Sequence, residues 1–503
     1  MAFGLRRVHP EEMGTGHVAR TLLRLAIPTA VAGILATTFQ MVDILFIGWL
    51  GTDQVSGVGF GFPVIFFIFA IGQAAGVGVS ILVGRYLGAG NQIEARRSLE
   101  QALLISACVG GVISALAPLV TVPILGLLGT PESVLPYGAA YLSRILLGCL
   151  MFHVGLVADA GLRAQGNTMT GMRVALLGNT LNLVLDGFFI FGPNNQPTSM
   201  PGVWGLPALG RLYTDWGLDL GVQGGATITV LCQVLVVALL LRSLWSQRSH
   251  VRPFVHSDRP IRFRWKILGR IYAMGLPATV SIVGMSLSGM LVNGILVGVP
   301  GESAGTAIGV TAVGAFMVAS RLEMFAFAPI FSLGSALVPM VSYNVGARNT
   351  DRCRRVILIG CLMAGSAMAV VGLVLFAFPR QFIAIFNNAP DMIDLGSDYL
   401  RINTLSYFII GCDVMLSSGL QGLGRPGLSM VAQLIRAVIV KVPVAWGLSM
   451  VLGVTGVWWS SPISTAACFL FASSVMWILL RRALAGARPQ GVTVVAPDLP
   501  PEV

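Results

Sequence analysis

Two aspartates, Asp43 and Asp186, each interrupt an apolar run long enough to cross a bilayer. A carboxylate in hydrocarbon is costly, and by default it marks an ion path, a proton relay or a ligand counter-charge. Two such groups close together, with little water, cannot both ionise cheaply. A pair of this kind takes up and releases protons, and its oxygens can also ligate sodium. Asn182 lies four residues before Asp186, so the two share one helix face. Thr227 and Thr229 stand in the next apolar run, roughly 14–17 Å below the outer surface, and bring one or two hydroxyls to the same outer half. Pro28, in the run that carries Asp43, removes a backbone donor and marks a hinge. Gln40, His153, Asp159 and Thr227 are further polar groups that could face a substrate cavity.

The elements that must position these groups are membrane helices. The 503 residues are 55% hydrophobic and 11% charged, where a soluble chain carries about a quarter charged residues. Apolar runs of twenty or more residues cover roughly 24–50, 54–83, 96–120, 133–162, 170–191 and 218–242. A second set covers 267–298, 303–340, 353–378, 393–420, 428–451 and 455–480. The formal charge of +11 does not read as a nucleic-acid face. Of the 32 basic residues, 26 fall at the termini and the even-numbered connections, counting Arg425 and Arg436 between the tenth and eleventh runs. The odd-numbered connections hold only Arg211 and Arg380. That bias predicts a multi-pass protein with both termini in the cytoplasm. In this topology the first and fifth spans both run outward. Asp43 and Asp186 then sit at one depth, roughly 8–11 Å below the outer surface. No Arg or Lys occurs at that depth in the first, fifth or sixth span.

An internal repeat organises the chain. YLSRILLG…GLRAQGNT at 141–168 matches YLRINTLS…GLQGLGRP at 399–426 at an offset of 258, which also superposes RYLGAGN (85–91) on YNVGARN (343–349). LRLAIPTAV (23–31) pairs with YAMGLPATV (272–280). Two halves of six spans insert in the same orientation, related by an axis along the membrane normal. The expected partition is a first lobe at 1–242, a linker at 243–266, a second lobe at 267–482 and a polar tail at 483–503. The acids do not repeat. Val440 and Val444 stand where Asn182 and Asp186 would recur, so ion chemistry belongs to the first lobe. Arg321, Glu323, Asp413 and Lys441 are charges within the second lobe's spans, and interhelical salt bridges are their expected role.

Absent motifs narrow the function further. The chain has two lysines, Lys266 and Lys441, and neither follows a GxxxxG run, so there is no Walker A loop. HExxH, GxSxG and paired-Cys metal sites are missing, and the seven cysteines are scattered among apolar runs as small hydrophobes. ATP-driven pumping and the common membrane hydrolases are disfavoured, and no cofactor is expected.

Four stretches carry a family resemblance: LAIPTAV…FQMVDILFIGWLG at 25–51, RYLGAGN at 85–91, GLRAQGNTMTGMRVALLGNTLNLVLDGFFIFG at 161–192 and GVQGGATIT at 221–229. From about 20 to 482 the chain resembles the multidrug and toxic compound extrusion (MATE) transporters, closest to their DNA-damage-inducible-F-like and archaeal branch. The resemblance implies an all-α polytopic protein of twelve transmembrane helices in two six-helix bundles. It also implies proton- or sodium-coupled export of organic compounds by alternating access. It assigns cation coupling to Asp43, Asn182, Asp186 and Thr229, and a bending hinge to Pro28. Other members use a Glu in the seventh span and an Asp in the tenth. Here the first position is Met285, and Asp413 lies about one turn from the second.

The expectation is a monomeric antiporter of the bacterial inner membrane, exporting small cationic or amphipathic compounds, with no nucleic-acid partner. A flippase for a lipid-linked saccharide is the alternative, and a membrane-embedded acid–base enzyme a distant third. The stretch 193–217 is an unusually long outer connection that could cap the cavity, although ordinary loop tolerance also accounts for it.

Overall fold

A computed structural model describes residues 7–196, 213, 215–247, 249–254, 263–298, 307–384 and 389–485. Most of the outer connection 193–217, part of the linker and the tail from 486 lie outside the described residues.

The described chain is helical throughout. A short α1 (Pro10–Thr15) precedes α2 (Val18–Gly48), α3 (Thr52–Gly88) and α4 (Gln92–Leu127). The fourth crossing is a broken pair, α5 (Leu135–Leu147) and α6 (Cys149–Ala164), bent by 49° at Gly148. α7 (Thr168–Ile190) and α8 (Val222–Trp245) complete the first half. The second half runs α9 (Trp265–Val297), α10 (Ala307–Gly346), α11 (Thr350–Ala377) and a short α12 (Pro379–Ala384). Then come α13 (Pro390–Thr404), α14 (Tyr407–Gly422), α15 (Pro426–Leu434), a π-helical turn at Ile435–Ile439, and α16 (Lys441–Ala485).

Nine of the described helices are long and apolar enough to span a membrane, and the bent pair makes ten. The stretch Pro426–Arg481 counts once there but is two crossings, divided at Gly453. The broken pair α13–α14 is the twelfth. The bounds move outward from the apolar runs, because helices continue past the hydrocarbon until a cap or turn stops them. α2 thus begins at Val18 rather than 24, and α10 runs on to Gly346 rather than 340.

The repeat reappears as backbone geometry. The break at Gly148 recurs 258 residues later at Ser406, where α13 meets α14. Asn91 and Asn349, also 258 apart, each cap a helix by accepting from the amide three residues on, Glu94 and Arg352. The residues before them, Gly90 and Arg348, share the left-handed conformation at φ 75° and 55°. Gly221 and Gly453, which open the sixth and twelfth crossings, have nearly identical torsions (φ 57°, ψ −138° and φ 60°, ψ −141°). Only glycine enters that region without strain. Their offset is 232, so the first half carries 26 extra residues in its outer connection. The described ends of that connection are tied at Asp219, whose carboxylate accepts from the amides and side chains of Asn194 and Asn195. What desolvation Asp219 suffers is outweighed by those donors, which hold its carboxyl below the usual range.

The halves meet along α2 against α10 and α3 against α9 and α10. Hydrogen bonds between them run from the middle of the helices to the arginine-rich ends. Thr279 donates to Ala70 O at 2.8 Å, Arg85 to Leu423 O at 3.3 Å, and Asn344 to Met13 O at 2.9 Å. Backbones nearly touch there, since a Cβ on Gly275 would fall 1.6 Å from Ala74 O.

One basic residue changes place. Arg436, counted above with the connections, lies in the π-helical turn and is 14% exposed on its side chain. The buried Asp413 carboxylate, 3.6 Å away, accounts for its position. This is one of the expected interhelical bridges, formed with a base taken from outside the expected set. Glu323 makes no such bridge. Neutral donors hold it instead, Tyr399 at 2.9 Å, Asn403 at 3.0 Å and Tyr407 at 3.1 Å.

Candidate functional site

α2 and α7 pack along their lengths, and α7 in turn packs on α8. Asp43 projects from α2 and is 4% exposed; Asn182 and Asp186, one turn apart on α7, are fully buried. The Asp43 and Asp186 carboxyls lie within electrostatic reach of each other. The packing of α2 on α7 brings the two acids together.

Tyr141 of α5 donates its hydroxyl to Asp43 Oδ2 at 2.6 Å. Among the described residues, Asp43 Oδ1 has no hydrogen-bond partner, and neither does either oxygen of Asp186. Asn182 donates through Nδ2 to Thr229 Oγ1 at 3.3 Å, which leaves its Oδ1 unpartnered. Four acceptor oxygens are thus buried on two neighbouring helices without a donor. Buried polar atoms are almost always paired, and each exception asks for a proton, a cation or a water. The donor set suits a proton shared by two acids, or a hard cation taking carboxylate and amide oxygens. Close approach to α8 is possible because residue 225 is glycine, where a Cβ would stand 2.9 Å from Asp43 Oδ1.

Aromatic side chains cover the outer side of the acids. Phe46 packs on Trp49 with ring centroids 4.9 Å apart, and Trp49 stacks on Phe191 at 6.2 Å. These rings, with Ile47, Ile190 and Val222, form one buried cluster. Pro28 lies inside α2. Beside it, Thr29 donates to Ala26 O at 2.8 Å and approaches Ser332 O of α10 at 3.4 Å, so the weakened turn faces the second half.

The remaining cavity candidates do not join the acids. Thr227 donates to Gln223 O of its own helix at 2.7 Å. Two residues from Thr229, it points to another face. Asp159 is committed to Arg163 at 2.7 Å, an ion pair within α6. His153 is buried, with Nδ1 2.9 Å from Cys149 O and no partner for Nε2 among the described residues. The side chain of Gln40 lies outside the described residues. Tyr141 and Gly225 were missed by sequence reasoning. Tyr141 opens the YLSRILLG repeat segment, and that position was the one available signal.

A family model described as MatE matches residues 28–187 and again 277–446, so that its unit occurs twice, each copy opening on a proline, Pro28 or Pro277. An "FAD transporter" of Shewanella oneidensis is 27% identical over 465 residues, covering 91% of this chain and 95% of that protein. "Probable multidrug resistance protein YoeA" of Bacillus subtilis is 27% identical over 458 residues, 90% of this chain and 92% of that protein. Among solved structures, the outward-facing conformation of a multidrug resistance MATE family transporter superposes with a TM-score of 0.82 at 21% identity. It covers 95% of this chain and all of that one. That likeness is one of fold.

Proposed function

The chain belongs to the MatE family, and from that premise we propose that it is a proton- or sodium-coupled antiporter exporting organic, cationic or amphipathic compounds across a bacterial inner membrane. The observation that carries the reading is the buried pair Asp43 and Asp186, with three of its four carboxylate oxygens lacking a donor among the described residues. The likeness to a probable multidrug resistance protein of Bacillus subtilis supports the substrate class.

In this reading a cation enters from outside and neutralises the pair. Neutralisation weakens the bond that Tyr141 makes to the Asp43 carboxylate. α2 then bends at Pro28, and the first lobe, residues 1–242, closes on its ligand. Residues 267–482 act as the second lobe, 243–266 as the linker and 483–503 as a cytoplasmic tail, in a monomer with both termini inside. Coupling is the differential affinity of the two conformations for cation and export substrate.

The test is export of a fluorescent organic cation from proteoliposomes, driven separately by a proton and a sodium gradient. Asp43→Asn is expected to abolish gradient-driven export at unchanged protein level. Full retention in that variant overturns the reading. Wild-type protein inert under both gradients would instead favour the flippase of lipid-linked saccharides.

A further inference from the structure

Arg321 lies well inside the eighth crossing, is exposed, and makes no hydrogen bond or ion pair among the described residues. Two other embedded bases are committed: Arg436 faces Asp413 at 3.6 Å, and Lys441 lies within electrostatic reach of Glu323. A guanidinium in a membrane span is tolerated where it pairs or meets water. Arg321 therefore faces a wet space.

The faces of α10 identify that space. Phe316, Glu323 and Phe327 point into the second bundle, where Phe316 stacks on Trp458 and Phe327 meets Tyr407 edge-on. Ser332 marks another face. It meets the first half, with its Oγ 3.5 Å from where a Cβ on Gly33 would stand and its carbonyl facing Thr29. Arg321 precedes Ser332 by eleven residues, which is three turns and about 20°. It points as Ser332 does, toward the first half, about 16 Å further from the arginine-rich side. Asp43 follows Gly33 by ten residues on the antiparallel α2, an advance of about 15 Å. Arg321 and Asp43 thus stand at one depth, Arg321 exposed toward the first half and Asp43, about 80° around α2 from Gly33, buried toward α7 and α8. Met317, Met324 and Phe325 flank Arg321 on its exposed side, 53%, 50% and 37% exposed.

We propose that Arg321 is an anion subsite of the transport cleft, and that the preferred substrates are zwitterionic amphiphiles bearing a carboxylate. This rests on the antiporter reading above. The guanidinium takes the carboxylate in a bidentate pair. Met317, Met324 and Phe325 supply an adaptable apolar bed for the body of the ligand. The cationic end lies across the cleft on the side of the first lobe, whose acids are buried behind that surface. Cation uptake by the acids then loosens one end of the ligand while Arg321 keeps the other.

Rhodamine B and its ethyl ester test this, since they share one ring system and differ by a free carboxylate. Full-length protein would be assayed for protein-dependent transport of each dye in proteoliposomes, and for binding by fluorescence polarisation in detergent. Wild type is expected to favour the acid over the ester. Arg321→Gln should lower the acid-to-ester affinity ratio about tenfold, and Arg321→Lys by less, because the ammonium keeps the charge without the fork. An unchanged ratio in Arg321→Gln overturns the subsite. So does an equal loss of both dyes, which would make the arginine a closing element. Transport of the ester with no preference for the acid defeats the subsite while leaving the antiporter standing. Transport of neither dye defeats both.

Discussion

The Tyr141 hydroxyl donates to Asp43 Oδ2 at 2.6 Å, and that bond joins the fourth crossing to the first at the level of the acid pair. It is the one donor supplied to these carboxylates by the described residues. Tyr141→Phe keeps the ring in the buried cluster and removes only the donor. A hydrogen bond to a charged group contributes about 1.5–3 kcal/mol. The half-saturating concentration of the coupling cation should therefore shift about tenfold or more, with thermal stability in detergent falling by no more than that same amount, about 1.5–3 kcal/mol. An unchanged cation dependence would show the bond to be idle.

Asp43 and Asp186 act on each other across two packed helices, so their removal should not be additive. Asp43→Asn and Asp186→Asn are each expected to reduce gradient-driven export by about a hundredfold or more, and the double variant should be no worse than either alone. Independent losses that multiply in the double variant would separate the two acids into different sites.

Gly225 sets how closely α8 approaches the pair, because an added Cβ would stand 2.9 Å from Asp43 Oδ1. Gly225→Ala must displace the carboxylate by several tenths of an ångström. Transport should fall about tenfold, since misplacement on this scale is costly where geometry decides reactivity. Gly111→Ala on α4 is the control, with open space at its Cβ position, and it should leave transport intact.

The parts of this architecture legible in the sequence have a local or periodic cause. Apolar length gives the crossings, and the 258-residue offset between like segments anticipates matched breaks at Gly148 and Ser406. The acid pair was legible because a carboxylate in an apolar run is rare and both acids fell at one depth. Tyr141 was not, since one aromatic among 42 carries no mark of its partner. Arg436 was misplaced because its proximity to a turn outweighed its neighbour Asp413, which only the packing of α14 against α15 and α16, the helices flanking the π-helical turn, brings near. Thr227 could have been set aside beforehand, since it cannot share a helix face with Thr229 two residues away.

The Asp413–Arg436 pair gives a stability prediction. Asp413 is fully buried, and Cys468 donates its thiol to Asp413 Oδ1 at 3.0 Å. Removing one partner of a buried pair leaves an uncompensated charge and costs about 3–5 kcal/mol. Arg436→Leu should therefore lower the detergent melting temperature markedly. Adding Asp413→Leu should recover most of the loss, because two apolar groups leave no charge behind. Failure of the second change to rescue would mean that Arg436 stabilises through packing alone.

A pH dependence follows from the segment that straps the arginine-rich face. Arg7 donates to Thr170 of the first half at 3.2 Å, while Met13 O accepts from Asn344 at 2.9 Å and Arg352 at 3.0 Å of the second. Between these ties His9 meets His250 edge-on, with ring centroids 5.6 Å apart. Partial burial first, and then the neighbouring His9, hold the His250 imidazole below its ordinary value, against a smaller opposing effect from Glu11. The strapped state therefore binds this proton less readily than the released state. Its contribution is present above the ordinary histidine value of about 6.5 and is lost as pH falls below it. Amide hydrogen exchange over residues 7–16, corrected for intrinsic rates, should be a few-fold faster at pH 5.5 than at pH 7.5. His250→Asn should flatten that difference. Equal protection at the two pH values in wild type would show that the strap holds without regard to the charge on His250.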